Sequence, residues 1–203
     1  MKTTTSTGLW TTAIAFVLFS AIAGAGWTYR LDLALVQMAQ RYATDWLDSL
    51  GGFFSTSGGW ELTGFALLFV VGAMWLRGRR RLAIKLFAIF LATGLLEYLL
   101  KMFLPVPPIP DSLGRTEDFA PLLAVEYPYP YPSGHLLRTT IILGALYLWT
   151  GSRAIALVSI LYIAGMGYSR FYLGVHWPSD VIGGVLLGMA ALAWTFRGGK
   201  NEA

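Results

Sequence analysis

The sequence predicts an all-α protein: a bundle of six transmembrane helices with an amphipathic helix on its outer surface. Three observations carry this. Hydrophobic residues make up 56% of the 203-residue chain and charged residues only 13%, about half the charged share of a soluble domain. The apolar residues gather into long runs of membrane-spanning length. The basic residues fall between these runs, most densely at Arg77, Arg79, Arg80 and Arg81. A chain this apolar is not disordered, and one without cysteine holds neither a disulfide scaffold nor a thiol-ligated metal.

The elements follow in order. The first apolar run, 9–29, is broken only by small or hydroxyl residues. It reads as an uncleaved span, because it continues to Trp27 without a polar break. In 30–59, Leu31, Leu33, Leu35, Val36, Met38 and Ala39 are mixed with Asp32, Gln37, Gln40 and Arg41. This segment predicts one amphipathic helix lying along the membrane surface, then a Gly/Ser turn at 55–59. The second span, 60–76, stops at the arginines, and the third covers 82–104. Near its far end Glu97 and Lys101 are four apart, on one helix face. A polar, proline-rich loop over 105–132 carries Asp111, Arg115, Glu117, Asp118 and Glu126, and ends in three Tyr-Pro pairs suited to the membrane interface. The remaining spans are 133–150, 154–171 and 180–196, with a tight loop at 173–179.

Lys2, the cluster at 77–81, Arg153, Arg197 and Lys200 all fall on one side of this layout. The positive-inside rule makes that side the cytoplasm, with both termini there. The connections 30–59, 105–132 and 173–179 then face outward from the cytoplasmic (inner) membrane, the periplasmic side. The net charge of +4 is a topology signal. No basic surface is interleaved with exposed aromatics, so nucleic acid is not expected as a partner. The chain reads as one domain, 1–203, whose chemistry-bearing motifs lie within 101–180.

The two histidines, His135 and His176, both fall at outward span ends among polar groups, where ionisable residues point to function. In Pro132-Ser133-Gly134-His135 a loop becomes a helix. Ser133 stands where an N-cap belongs, and the free N–H groups of that first turn attract anions. In Ser169-Arg170 and His176-Trp177-Pro178-Ser179-Asp180, Arg170 offers a planar fork for phosphate or carboxylate. Asp180 is placed to accept a hydrogen bond from one His176 nitrogen, leaving the other for an electrophile. Lys101 is either a snorkelling anchor or an anion ligand.

The order Lys101, then Pro-Ser-Gly-His at 132–135, then Ser-Arg, five residues, His and three residues to Asp180 resembles the type 2 phosphatidic acid phosphatase (PAP2) family, in its membrane branch. The resemblance implies metal-independent and cofactor-free hydrolysis of a phosphoester or phosphoanhydride through a phosphohistidine. It assigns His176 as nucleophile, Asp180 as its orienting group and His135 as general acid. It makes Lys101, Ser133, the Gly134 N–H and Arg170 the phosphate ligands. Phosphoryl transfer needs mainly positioning and positive charge around the equatorial oxygens, which such a cluster supplies.

One departure stands out. The family's first motif places an arginine-proline pair after six residues beyond the lysine, and here those positions hold Pro108 and Ile109. Arg138, three residues after His135 and on its helix face, is the preferred replacement. Arg115 in the outward loop is the second alternative, and no replacement at all, with weaker phosphate binding or a substrate bringing its own second phosphate, is the third. Glu97 is in reach of Lys101 or Arg138, or remains a buried acid. The expected substrate is a membrane lipid phosphate: undecaprenyl pyrophosphate, phosphatidylglycerol phosphate, phosphatidic acid or a lipid A phosphate, with a slight preference for a diphosphate or specialised headgroup. Phosphotransfer to a lipid acceptor through the same histidine, and non-catalytic lipid binding or transport, are the competing functions.

Overall fold

The structure is a computed structural model that describes residues 4–115 and 127–198. Lys2, Lys200, Glu117, Asp118 and Glu126 lie outside the described residues. The expected α-helical class holds: among those described there are eight α-helices and no strand, only a single bridge between Thr4 and Arg197.

The helix α1 (Ser6–Gly24) starts under Thr5, whose hydroxyl accepts from the Gly8 N–H at 3.0 Å. It stops earlier than the apolar run suggested. Gly26 turns the chain at φ 74°, a left-handed conformation that glycine adopts without steric cost. The single surface helix expected over 30–59 is two, α2 (Tyr29–Gln40) and α3 (Asp45–Ser57). Thr44 breaks them apart by capping α3, its hydroxyl accepting from the Leu47 N–H. The expected Gly/Ser turn shrinks to Gly58 and Gly59, because Ser55 to Ser57 complete the last turn of α3.

Then follow α4 (Trp60–Leu76), α5 (Arg80–Phe103), α6 (Gly134–Thr150), α7 (Arg153–Tyr172) and α8 (Pro178–Thr195). Together with α1 these occupy the six expected positions. Four of them (α1, α5, α7 and α8) are individually long and apolar enough to cross a membrane. The helix α4 reaches that standard joined to α3, with a 53° bend between them. The helix α6 has 17 residues and is largely enclosed, with Leu136, Leu137, Ile141 and Ala145 all buried.

The packing is that of a protein in lipid. The helix α8 lies at the centre against α1, α5 and α6. Gly183, Gly184 and Gly188 let it approach the Tyr131 ring, the Ser133 carbonyl and Thr140. The outer helices turn large apolar side chains away from the protein: Val17 and Leu18, Phe65 and Phe69, Leu91 and Leu95, Leu157 and Leu161. A soluble bundle would hide these. Arg77, Arg153 and Arg197 share one end, where Arg77 at the end of α4 stacks over Trp149 at the end of α6. The Thr4 hydroxyl donates to the Ala193 carbonyl at that end, joining the start of the described chain to the end of α8.

One tie at the opposite end was not foreseen. Asp32 on α2, buried, accepts from the Ser179 N–H at 2.9 Å and the Ser179 hydroxyl at 2.7 Å. It thereby caps the first turn of α8 from a different helix. Asp32→Ala leaves both donors without that acceptor and is expected to cost about 1–3 kcal/mol, read as a lower thermal midpoint of the purified protein.

Candidate active site

The site forms at the end opposite the arginine cluster. The segment leading into α8 begins at Gly174, whose φ of 69° turns the chain after α7. A Cβ there would collide with the Leu113 carbonyl. The Arg170 carbonyl accepts from the N–H groups of Val175 and His176, at 3.1 and 3.3 Å. His176 is thus held by the backbone of Arg170. Its Nδ1 lies 3.2 Å from Asp180 Oδ2, which also accepts from the Trp177 N–H at 2.8 Å. Asp180 is fully buried and its Oδ1 has no hydrogen-bond partner. The expected His176–Asp180 pair is therefore formed.

Ser133 precedes α6 as expected, but its hydroxyl does not cap the helix. Ser133 is fully buried with Oγ unpartnered, and its N–H donates to the Asp180 carbonyl at 2.9 Å. Arg170 is buried in the last turn of α7, and its Nε and Nη2 are also unpartnered. Buried polar atoms are normally satisfied, and these are orphaned close to the His176–Asp180 pair, Ser133 through its N–H to the Asp180 carbonyl and Arg170 through its carbonyl to the His176 N–H.

Lys101 enters from α5. Its Nζ lies 3.0 Å from Glu97 Oε1 and 4.7 Å from the centre of the Tyr127 ring. The Tyr129 N–H donates to the Lys101 carbonyl, fixing the Tyr-Pro segment over this helix end. Lys101 and His176 line one open cavity of about 320 Å³, walled by Pro108, Ile109, Tyr127 and Tyr129. The position of the missing arginine is therefore an apolar part of the wall.

Arg138 is buried. Its Nη1 pairs with Glu97 Oε2 at 3.1 Å, Nη2 donates to the Gly58 carbonyl at 3.4 Å, and the guanidinium stacks 4.0 Å over the Trp60 ring. Glu97 joins Lys101 to Arg138, so both alternatives the sequence left open for its partner are realised. Arg115 instead forms a two-pronged pair with Asp48 on α3, at 2.9 and 2.7 Å. This pair raises the Arg115 pKa further above its ordinary value. Arg115 also stacks on Tyr172.

His135 is brought to the same region but faces α3, with Nε2 3.0 Å from the Ser55 carbonyl. An acceptor there requires the proton on Nε2. The sequence did not anticipate Ser55, Gly58 or Trp60 as neighbours of this cluster. The only signal was the Gly58-Gly59-Trp60 break itself.

Burial, then the positive charges of Lys101 and Arg170, hold the His176 pKa well below the ordinary histidine value. The ring is therefore neutral at pH 7 and stays so as the pH falls through about 6.5, where an exposed histidine would charge. A ring-¹⁵N titration of the substrate-free protein should show His176 still neutral at pH 6, its signal identified by its absence in His176→Gln. A His176 midpoint at or above 6.5 would contradict this environment.

Comparison with known proteins agrees with this geometry. A family model described as PAP2 superfamily matches residues 82–202. An Escherichia coli K12 protein named "Putative undecaprenyl-diphosphatase YbjG" is 32% identical over 182 residues, covering 84% of this chain and 86% of that protein. An undecaprenyl-diphosphatase of Sulfolobus acidocaldarius is 46% identical over 61 residues, a match that spans only 30% of this chain and 29% of that protein. Among solved structures, a transmembrane PAP2-type phosphatidylglycerolphosphate phosphatase from Bacillus subtilis superimposes with a TM-score of 0.70 at 20% identity, covering 92% of this chain and 93% of that one. Aquifex aeolicus LpxE gives 0.63 at 25% identity, covering 81% and 94%. The chain belongs to the PAP2 superfamily and is a membrane phosphatase of that family.

Proposed function

We propose that this protein hydrolyses a lipid phosphate or diphosphate on the outer face of the cytoplasmic membrane, through a phosphohistidine at His176 and without a metal ion. The observation that carries this is the His176–Asp180 pair beside buried, unpartnered donors of Ser133 and Arg170. Asp180 holds the proton on Nδ1, so Nε2 presents its lone pair to phosphorus. As the N–P bond forms, the bond to the leaving oxygen breaks, and His135 supplies that oxygen with a proton. An imidazolium carries protons on both nitrogens, so the Ser55 carbonyl keeps one while the other is transferred. Water then attacks phosphorus, returns a proton to His135, and frees inorganic phosphate and His176. Lys101, the Ser133 hydroxyl, the Gly134 N–H, Arg170 and Arg138 bind the oxygens and the transition-state charge.

The six helices at the expected positions are read as six spans. The shared basic end at Arg77 and Arg153 is read as cytoplasmic, with both termini on that side. A site at the other end takes a headgroup while the lipid tails stay in the bilayer. An undecaprenyl diphosphate is the preferred substrate, because the relative matched over most of its length carries that name and because the wall at Pro108 and Ile109 lacks the cation of the family motif.

The test is release of inorganic phosphate from undecaprenyl diphosphate, phosphatidylglycerol phosphate, phosphatidic acid and lipid A phosphate, in mixed micelles with EDTA. Release with EDTA present, fastest from the diphosphate, is expected. Abolition by EDTA would overturn the metal-free mechanism. Appearance of the phosphate on a second lipid would reassign the enzyme to phosphotransfer, and release from none of the four would favour lipid binding or transport.

A further inference from the structure

Among the described residues Glu97 is the one carboxylate paired with two of the proposed phosphate-binding cations, and the arrangement around it is that of a bound anion. Its Oε1 lies on Lys101 and its Oε2 on Arg138, at 3.0 and 3.1 Å, with all three side chains buried. Its carboxyl group rests against the first turn of α6, where a Cβ on Gly134 would come within 2.6 Å of Glu97 Cδ. Negative charge is favoured at such a helix start. Next to Gly134, the buried Ser133 hydroxyl has no hydrogen-bond partner, and neither do Nε and Nη2 of the buried Arg170. Glu97 is thus the anion already held by two of the three cations.

We infer that Glu97 is an internal competitor of the substrate phosphate. In the free enzyme it neutralises Lys101 and Arg138, and a bound phosphate takes over at least one of them. This inference rests on the reading of those cations as phosphate ligands. Charge balance gives the reason for such a device. Lys101, Arg138 and Arg170 without an anion would be three buried cations in one site, costly to hold. They would also grip the product, inorganic phosphate, as strongly as the substrate, which slows turnover instead of helping it. With Glu97 present the cluster carries two net positive charges, matching one phosphate dianion. Glu97 is therefore a positioning residue that also sets how tightly phosphate is held.

The experiment is equilibrium binding of radiolabelled inorganic phosphate to the full-length protein in micelles at pH 7.5, for wild type, Glu97→Gln and Glu97→Asp, with helix content checked by circular dichroism. Glu97→Gln removes the competing charge and is expected to bind phosphate about tenfold tighter. Its KM for the lipid phosphate and its kcat should fall together, since product leaves more slowly. Glu97→Asp keeps the charge but is too short to bridge both cations, so it should bind phosphate tighter than wild type by a smaller factor. A purely structural role predicts the reverse, with scattered cations, weaker phosphate and a higher KM. Equal or weaker phosphate binding by folded Glu97→Gln overturns the inference while wild-type binding leaves the site reading standing. If Glu97→Gln does not fold, Glu97→Asp decides in the same way. No phosphate binding by wild type or either variant overturns both readings.

Discussion

Alanine at His176 is expected to reduce phosphate release by about 10³-fold or more. The expected loss is this large because no neighbouring group duplicates the ring. Lys101 and Arg170 are cations, Asp180 is enclosed, and His135 is directed to Ser55. Removing a nucleophile leaves only binding and charge stabilisation, a small remainder of catalysis. Asp180→Asn is the informative companion. It preserves shape but offers an amide that can donate to Nδ1 and so favours the wrong tautomer, with an expected loss of about 10²- to 10⁴-fold. Because Asp180 also accepts from Trp177, the assay should be paired with alkaline-detergent-quench detection of a phosphorylated protein that is alkali-stable and acid-labile. Wild type should give that species, and His176→Ala should not. A His176→Ala variant with near-normal release would remove the histidine from the reaction.

Gly134→Ala should damage both stability and activity strongly. A single methyl group there would lie about 2.6 Å from Glu97 Cδ and 2.7 Å from Arg138 Nη1. The ends of long side chains usually move aside at little cost, but here both are buried and paired to each other. To admit the methyl, Glu97 must release Arg138 or Lys101, leaving a buried charge unpaired. Breaking such a pair costs about 3–5 kcal/mol. The thermal midpoint of the purified protein should fall by several degrees, and activity should fall further than the folded fraction. The pair Gly134→Ala and Glu97→Asp tests the cause. The shorter acid makes room for the methyl, so the double variant should be less destabilised than the sum of the two singles. Simple additivity would place the damage elsewhere.

Much of the architecture was legible because lipid imposes strong patterns. Uncharged runs, arginines at their ends and polar glycine-rich breaks placed six of the helices within a few residues. The His176–Asp180 pair was legible from its spacing, since His176 stands just before the start of α8 and Asp180 in its first turn. What the sequence hid was contact between distant segments. Nothing near Asp32 indicates that it caps α8 through Ser179, 147 residues away. The choice between Arg138 and Arg115 depended on which acid each would meet, Glu97 or Asp48. The break between α2 and α3 depended on Thr44 acting as a cap, one hydroxyl within a stretch of even amphipathic pattern. Ser133 shows the converse: its position before the helix was correct, but its hydroxyl makes no cap hydrogen bond.

The corner between α3 and α4 gives the site an unusual foundation. Two of its backbone carbonyls, Ser55 and Gly58, face His135 and Arg138. The same helix α3 exposes Trp46 and Phe53 on its other side. His135 and Arg138 are thus anchored at the end of a helix that packs on α7 with one face and turns Trp46 and Phe53 outward. Extraction from native lipid is expected to loosen this outward-facing corner before the central packing of α6 and α8. Preparations with full helix content and poor turnover would therefore be damaged at this corner rather than unfolded, and return to a bilayer would be the remedy.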